Sequence, residues 1–483
     1  MSFKWASTRH VAPTCALLLA TAAIVVACGD DDDDDDRGGS GGVSGASGSP
    51  PGAGGAGGSS AGAGTGGAAA GADGVSAACV PNPGESPLCP SDGDPAAVSF
   101  VDPAAQLVSP ERIQLGPLVY VAPFARLDAS AAPIEVGGES NIEDGAVVLG
   151  DDVTGGETRA AALAQVGLDR TTGVVMAART VLGHNVTIKG PAVLGVGGGD
   201  IDVNTDGKSE VILNQGAEVD GAVLEQNSAV SVFARVGPGV RLRSGYIVVA
   251  GKNVTTQAEA DDPALGKVVL LTEEDVQGTE LSVEANTAFA RDYARLFRDD
   301  PTHVRGINYA PGGSRFSPAR VLPKTDVVPG GCEGGVDARD PSFPGRVIGP
   351  ICFEDPPSRL ATVMAQSVSL RNDEGAGAPF LLGPIGSFEQ GVVFHNVEGA
   401  GITVGRNVTL RRRATLHSGP GRNVVLGDNV ELGADAVVFG SNVGDGAVLG
   451  EKSLVGFSDI PPGAVVTART IVFGGEVFGT VEW

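Results

Sequence analysis

The sequence predicts a mainly β chain folded as two tandem parallel β-helices, one of them carrying an accessory α-helix. Three observations point there: abundant glycine, an apolar period of six, and an internal duplication. Glycine supplies 74 of 483 residues, about twice the usual share, while aromatic residues make up only 5%. Aliphatic residues recur at Val404, Leu410 and Leu416, at Leu426, Leu432 and Val438, and at Val443, Leu449 and Val455. Small or branched residues follow four positions on, at Val408, Ala414, Val430, Ala436, Ala447 and Ser453. The first half repeats the pattern with Leu182, Ile188 and Leu194, partnered by Val186 and Ala192. A period of six matches neither an amphipathic helix nor simple strand alternation. It matches a coil of short flat sides, one hexad to a side, with the aliphatics stacked inside. Glycine after the aliphatic suits tight corners, where positive φ is needed.

The duplication shows in aligned phrases. Asn141-Ile142-Glu143-Asp144-Gly145 matches Ser387-Phe388-Glu389-Gln390-Gly391, and Leu182-Gly183-His184 matches Leu410-Arg411-Arg412. Ile188-Lys189-Gly190 likewise matches Leu416-His417-Ser418. Residues 79–300 are expected to form the first β-helix and 332–483 the second, joined by a Pro- and Gly-rich linker over 301–331. Within the first, Phe289, Tyr293, Leu296 and Phe297 stand at helical spacing over 283–298 and predict a helix packed along the solenoid.

Ahead of both lies an address. Lys4, Arg9 and His10 precede an apolar stretch, Cys15 to Val26, too short for a comfortable span. It ends Val25-Val26-Ala27-Cys28-Gly29, which resembles a bacterial lipobox and implies a signal peptide over 1–27 with lipid on Cys28. Residues 28–78, acidic at Asp30–Asp36 and then rich in Gly, Ser and Ala, cannot bury a core and are expected to act as a flexible tether. The chain is thus expected to be an exported bacterial lipoprotein of the cell envelope, at the outer membrane or cell surface, touching membrane through its anchor alone. In such a compartment Cys79 with Cys89, and Cys332 with Cys352, are expected to form local disulfides. Neither pair has the spacing usual for zinc. The charge sum, 33 − 58 = −25, excludes nucleic acid as partner, since a phosphate backbone requires a basic face.

Ser99-Phe100-Val101-Asp102-Pro103, Tyr120-Val121-Ala122-Pro123-Phe124-Ala125 and Asn141-Ile142-Glu143-Asp144-Gly145 resemble the gamma-class carbonic anhydrases, as do Gly190-Pro191 and residues 254–261. The resemblance covers about residues 99–300 and, more loosely, 353–475. It implies left-handed β-helices of the hexapeptide-repeat type, a homo-oligomeric, trimeric arrangement, and a zinc ion held by three histidines, two from one β-helix and one from its neighbour. Neither copy keeps all three. Copy one has Leu149, His184 and Lys189 at the ligand positions, and copy two has His395, Arg412 and His417. The losses are complementary, so one pairing of the copies assembles His184, His395 and His417 as a zinc site. The resemblance also places the arginine and both acids of the family at Arg371, Asp373 and Glu374, and in copy one at Arg126 and Asp128, with Ala129 replacing the second acid. Arg371 is read either as a clamp for bicarbonate or as half of an ion pair between β-helices, and Glu374 either as a proton relay or as a turn residue. A separate run, Asp202-Val203-Asn204-Thr205-Asp206-Gly207, carries oxygen ligands at alternate positions before a glycine and resembles a calcium loop.

The resulting expectation is a zinc enzyme hydrating carbon dioxide to bicarbonate. A non-catalytic envelope protein using its β-helices for assembly or ligand binding is the runner-up, and a hexapeptide acyltransferase the third reading. Fold alone does not choose among them.

Overall fold

The computed structural model describes residues 78–150, 173–196, 210–299 and 345–483, apart from 83–85, 350, 374–378, 397–399 and 420, together with positions 161 and 164 and a strand pair at 309–310 and 320–321. Residues 1–77, where a signal peptide, the lipid-bearing Cys28 and a tether are expected, lie outside the described residues, as do most of the expected linker, Cys332, Glu374 and the run with Asp202, Asn204 and Asp206.

Two parallel β-helices follow one another along the chain. Among the described residues the first has sheets of nine, six and seven strands, and the second sheets of eight, six and five. Successive strands take the three sheets in turn: Thr180–Leu182 lies in the nine-stranded sheet, Thr187–Lys189 in the seven-stranded and Ala192–Val196 in the six-stranded. One hexad therefore makes one side. Coils stack in register, with Ile142 beside Leu182 and Leu182 beside Leu213, and in copy two Phe394 beside Leu416 and Leu416 beside Val438. The hexad aliphatics of each copy line its core, Leu182, Ile188 and Leu194 in the first and Val404 through Val455 in the second. Burial of this column, at about 25 cal/mol per Å² of apolar surface, is the main favourable term.

The glycine that follows each aliphatic has a different cause from the one expected. Positive φ falls two residues later, at Asn185 and Asn407 for example. The glycine itself answers close stacking: a Cβ on Gly450 would lie 2.3 Å from the Ala468 amide nitrogen in the next coil.

The accessory helix runs from Glu273 to Asp299, ten residues earlier than its apolar spacing suggests. Thr272 and Asp275 cap it reciprocally, the Thr272 amide donating to Asp275 (2.7 Å) and the Asp275 amide to the Thr272 hydroxyl (3.2 Å). It lies over the nine-stranded sheet, where Val283 packs on Val181, Ile212 and Ile247, and Phe289 and Tyr293 pack on Phe100 and Tyr120. Cys79 and Cys89 form a disulfide at the start of the first β-helix. Cys352 is also disulfide-bonded.

Candidate metal centre between the two β-helices

The eight-stranded sheet of copy two turns Leu370, Phe394 and Leu416 into its own core. Alternation then points Arg371, His395 and His417 outward, and the register sets them side by side, Arg371 next to His395 and His395 next to His417. Facing them is the corner that follows the nine-stranded sheet of copy one. Contacts run coil by coil along this junction. Arg346 pairs with Asp102 at 2.9 Å, Asn185 donates to Thr415 at 3.1 Å, Val232 and Phe233 pack with Val437 and Phe439, and the Trp483 indole donates to the Phe233 carbonyl at 2.7 Å. The meeting of copies that brings the histidines together thus occurs within one chain.

His184 enters this junction from the corner Leu182-Gly183-His184-Asn185. Its Nε2 lies 3.2 Å from His395 Nδ1, and the His417 ring centroid lies 5.3 Å from that of His184 and 5.0 Å from that of His395. One nitrogen from each of the three falls within 4.8 Å of the others. All three rings are buried, none more than 4% exposed. The opposite nitrogens face acceptors. Asp144 Oδ2 lies 3.4 Å from His184 Nδ1, Asp373 Oδ1 lies 3.4 Å from His395 Nε2, and His417 Nδ1 lies 2.7 Å from the Ser418 carbonyl. His417 Nε2 is buried with no hydrogen-bond partner, and at 3.4 Å neither His184 Nδ1 nor His395 Nε2 completes a hydrogen bond to its carboxylate. Phe439 stacks on His417 at 5.0 Å, and Phe289 of the long helix borders His395 at 6.3 Å.

Behind the rings Arg371 is wholly buried. Its Nη1 donates to Glu143 and to Asp144 (2.6 Å), its Nε donates to Asp373 (3.1 Å), and its Nη2 lies 3.0 Å from the same Asp373 oxygen. Tyr293 of the long helix donates its hydroxyl to Asp373 at 2.6 Å, Ser369 donates to Asp144, and Asn141 donates to Glu143 at 2.6 Å. Of the two roles open for Arg371, this geometry is that of the ion pair between β-helices. A bicarbonate clamp would need a guanidinium edge turned to the substrate, and here Nη1 and Nε are bonded to three carboxylates while the buried Nη2 lies beside Asp373.

Burial works against ionising Asp144, but the Arg371 charge, aided by His184 and Ser369, outweighs it and holds the carboxyl well below its usual range. Asp373 is held low in the same way by Arg371, His395 and Tyr293. Burial lowers His395, with the Arg371 charge adding to it. Burial, then the two neighbouring rings, lower His417 well below its ordinary 6.5. A neutral imidazole is the form that ligates metal.

A pH dependence follows. For a histidine lowered in the folded state, the unfolded chain binds more protons once the pH falls below 6.5, so stability is held above that value and lost beneath it. Asp144 and Asp373 act in the same direction at lower pH, below their ordinary 3.8. The urea midpoint of metal-free protein is expected to fall between about pH 7.5 and about pH 5.5. A flat profile over that span would contradict the buried, neutral histidines.

The copy-one counterparts lie elsewhere. Leu149 and Lys189 are neighbours on the seven-stranded sheet, where Lys189 pairs with Glu218 at 3.0 Å. Arg126 and Asp128 share that sheet and pair with each other at 2.7 Å, the arginine half exposed. Arg412 stands on an exposed corner of copy two, its amide donating to Glu389 at 2.9 Å. Sequence reasoning quoted Glu143 and Asp144 without giving them a role. The signal was present, since Asp144 aligns with Gln390 in the copy whose corner does not meet the histidines.

No protein-family model matches the chain, and no curated protein matches it in sequence. Among solved structures it is similar to a hexapeptide transferase family protein from Anaplasma phagocytophilum, at 19% identity and a TM-score of 0.26, over 40% of this chain and 91% of that one. It is also similar to a putative acetyltransferase from Desulfovibrio desulfuricans, at 10% identity and a TM-score of 0.22, over 75% of this chain and 66% of that one. At this level neither likeness bears on what the chain does. The fold rests on the stacked parallel sheets themselves: the chain is a tandem β-helix protein.

Proposed function

We propose that the chain binds one zinc ion through His184, His395 and His417 and hydrates carbon dioxide there, as its resemblance to the gamma-class carbonic anhydrases implies. The observation that carries this reading is the convergence of three buried imidazoles whose outer nitrogens all face acceptors. Metal-bound histidines are oriented by such acceptors. The 3.2 Å between His184 Nε2 and His395 Nδ1 is close to the edge, roughly 3.3 Å, of a tetrahedral set of zinc–nitrogen bonds. Charge supports a divalent ion as well. Three carboxylates, Glu143, Asp144 and Asp373, face one guanidinium, so 3 − 1 = 2 negative charges are left for a divalent cation to balance.

A zinc ion held by three neutral histidines supplies ionised water near neutral pH for addition to carbon dioxide. The chain's own residues set up that chemistry. Asp144 and Asp373 orient His184 and His395, the Ser418 carbonyl holds the tautomer of His417, and Tyr293 fixes Asp373. Arg371 is a positioning residue that keeps Asp144 and Asp373 ionised, and Phe289 and Phe439 wall the site against bulk water. Proton relay by Glu374, calcium at Asp202, Asn204 and Asp206, lipid on Cys28, a place in the cell envelope and a trimeric arrangement of β-helices belong to the same proposal.

Zinc per chain after dialysis, with carbon dioxide hydration assayed alongside, tests the reading. The expected result is about one zinc per chain together with hydration activity. Zinc without hydration would leave the ion as a staple in a non-catalytic envelope protein. Correctly folded protein without zinc would end the proposal.

A further inference from the structure

The three histidines are not supported alike. His184 and His395 each turn a nitrogen toward a carboxylate, of Asp144 and Asp373. His417 turns its Nδ1 to the carbonyl of its own neighbour Ser418, at 2.7 Å, and its ring lies against Phe439, stacked at 5.0 Å with 20° between the planes. Whatever fixes Phe439 therefore bears on the third ligand. Phe439 belongs to an apolar cluster built by both copies, with Val232, Phe233 and Ala250 from the first and Leu454, Ile471 and Val481 from the second. Trp483 packs against the same cluster.

Residues 481–483 follow the last strand of copy two, Glu476–Thr480, and cross to copy one. The Val481 amide still donates within copy two, to the Arg469 carbonyl at 2.8 Å, but the Glu482 amide donates to the Gly251 carbonyl of copy one at 2.9 Å. The Glu482 carboxylate accepts from the Lys252 ammonium at 3.0 Å and from the Asn253 amide at 3.1 Å. The Trp483 indole then donates to the Phe233 carbonyl at 2.7 Å. Cations from both copies attend that indole. Lys452 Nζ lies 3.3 Å from its ring centre and the Arg235 guanidinium carbon 5.9 Å, within reach of a cation–π attraction. The seat is close: a Cβ on Gly251 would lie 3.0 Å from the Thr480 carbonyl.

His184 belongs to copy one and His417 to copy two, so their spacing depends on how firmly the junction is closed. The Arg371 ion pairs close it on one side of the histidines. A ligand ring also needs its rotamer locked by the packing around it. We infer that residues 481–483 are a clasp across the junction, and that Trp483 is a positioning residue for the metal centre, fixing Phe439 through Phe233 and so the ring of His417. The positioning role rests on the zinc reading given above; the clasp itself does not.

The test compares wild type, Trp483→Ala, Trp483→Phe and Glu482→Ala by the rate of zinc release to a chelator, the visible spectrum of cobalt-substituted protein, and the thermal midpoint of metal-free protein. Trp483→Ala is expected to release zinc about ten-fold faster, at the low end of what loss of an outer-shell partner costs, and to shift the cobalt bands. Trp483→Phe, which keeps a ring in the cluster, should recover part of both changes. Glu482→Ala leaves the apolar cluster whole and should speed release as well, so the test holds even where Trp483→Ala does not fold. A lowered midpoint with zinc release and cobalt bands as in wild type would overturn the positioning role. No change in any of the three would overturn the clasp, and either result would leave the zinc reading standing. Wild type that takes up neither zinc nor cobalt would overturn the zinc reading and the positioning role together.

Discussion

Arg371→Met is expected to destabilise the folded chain by about 3–5 kcal/mol, the cost of stripping one partner from a buried ion pair. Among the described residues the guanidinium is the one fixed cation against Glu143, Asp144 and Asp373, and it is wholly buried. In metal-free protein methionine fills part of the space but leaves three carboxylates without a counter-charge. They must then take up protons or open the junction. Because Glu143 and Asp144 come from copy one and Arg371 from copy two, the loss should fall on the contact between β-helices, not on either solenoid. Urea denaturation measures it, and limited proteolysis should report cleavage near the junction first. Arg371→Lys should recover part of the loss, since a lysine keeps the charge but lacks the fork that reaches Asp144 and Asp373 at once. A cost of less than about 1 kcal/mol for Arg371→Met, the value typical of an exposed pair, would show that the carboxylates are not held by this residue.

The second large effect concerns metal. His184→Ala should weaken zinc binding by more than about 100-fold, because loss of an outer-shell partner alone costs 10–100-fold. It should do so as fully as His395→Ala or His417→Ala, although His184 comes from the other copy. Combining His184→Ala with His417→Ala should add little, since a site broken at one ligand has little left to lose. Competition with a metal-sensitive dye gives the affinities. Zinc retained in His184→Ala, but lost in the other two, would mean that copy two holds the ion alone. Folding of each variant is checked by its thermal midpoint, which is expected to shift far less than in Arg371→Met, since His184→Ala leaves the Arg371 ion pairs in place.

Much of this was legible in the chain itself. The six-residue period reports a local fact, that each short side of a coil buries one aliphatic, so Leu182, Ile188 and Leu194 declare their inward direction without reference to anything distant. The duplication made the ligand positions comparable, and complementary loss of histidines between the copies singled out His184, His395 and His417. The helix over 283–298 was visible from Phe289 and Tyr293, while its first ten residues were not, because their signal is a cap at Thr272 and Asp275 rather than an apolar face.

Other features were decided only by tertiary packing. Glycine after each aliphatic is required by the approach of the next coil, which no single hexad reveals. Arg371 became a buried ion-pair partner because the corner with Glu143 and Asp144, some 228 residues away in the chain, lies against its sheet. Tyr293 acquired its bond to Asp373 by the same route, across 80 residues. The sequence by itself determined which residues point in or out of each solenoid, because that is set by local alternation. What the outward residues meet was decided by the side-by-side packing of two β-helices, because burial and charge pairing depend on surfaces distant along the chain.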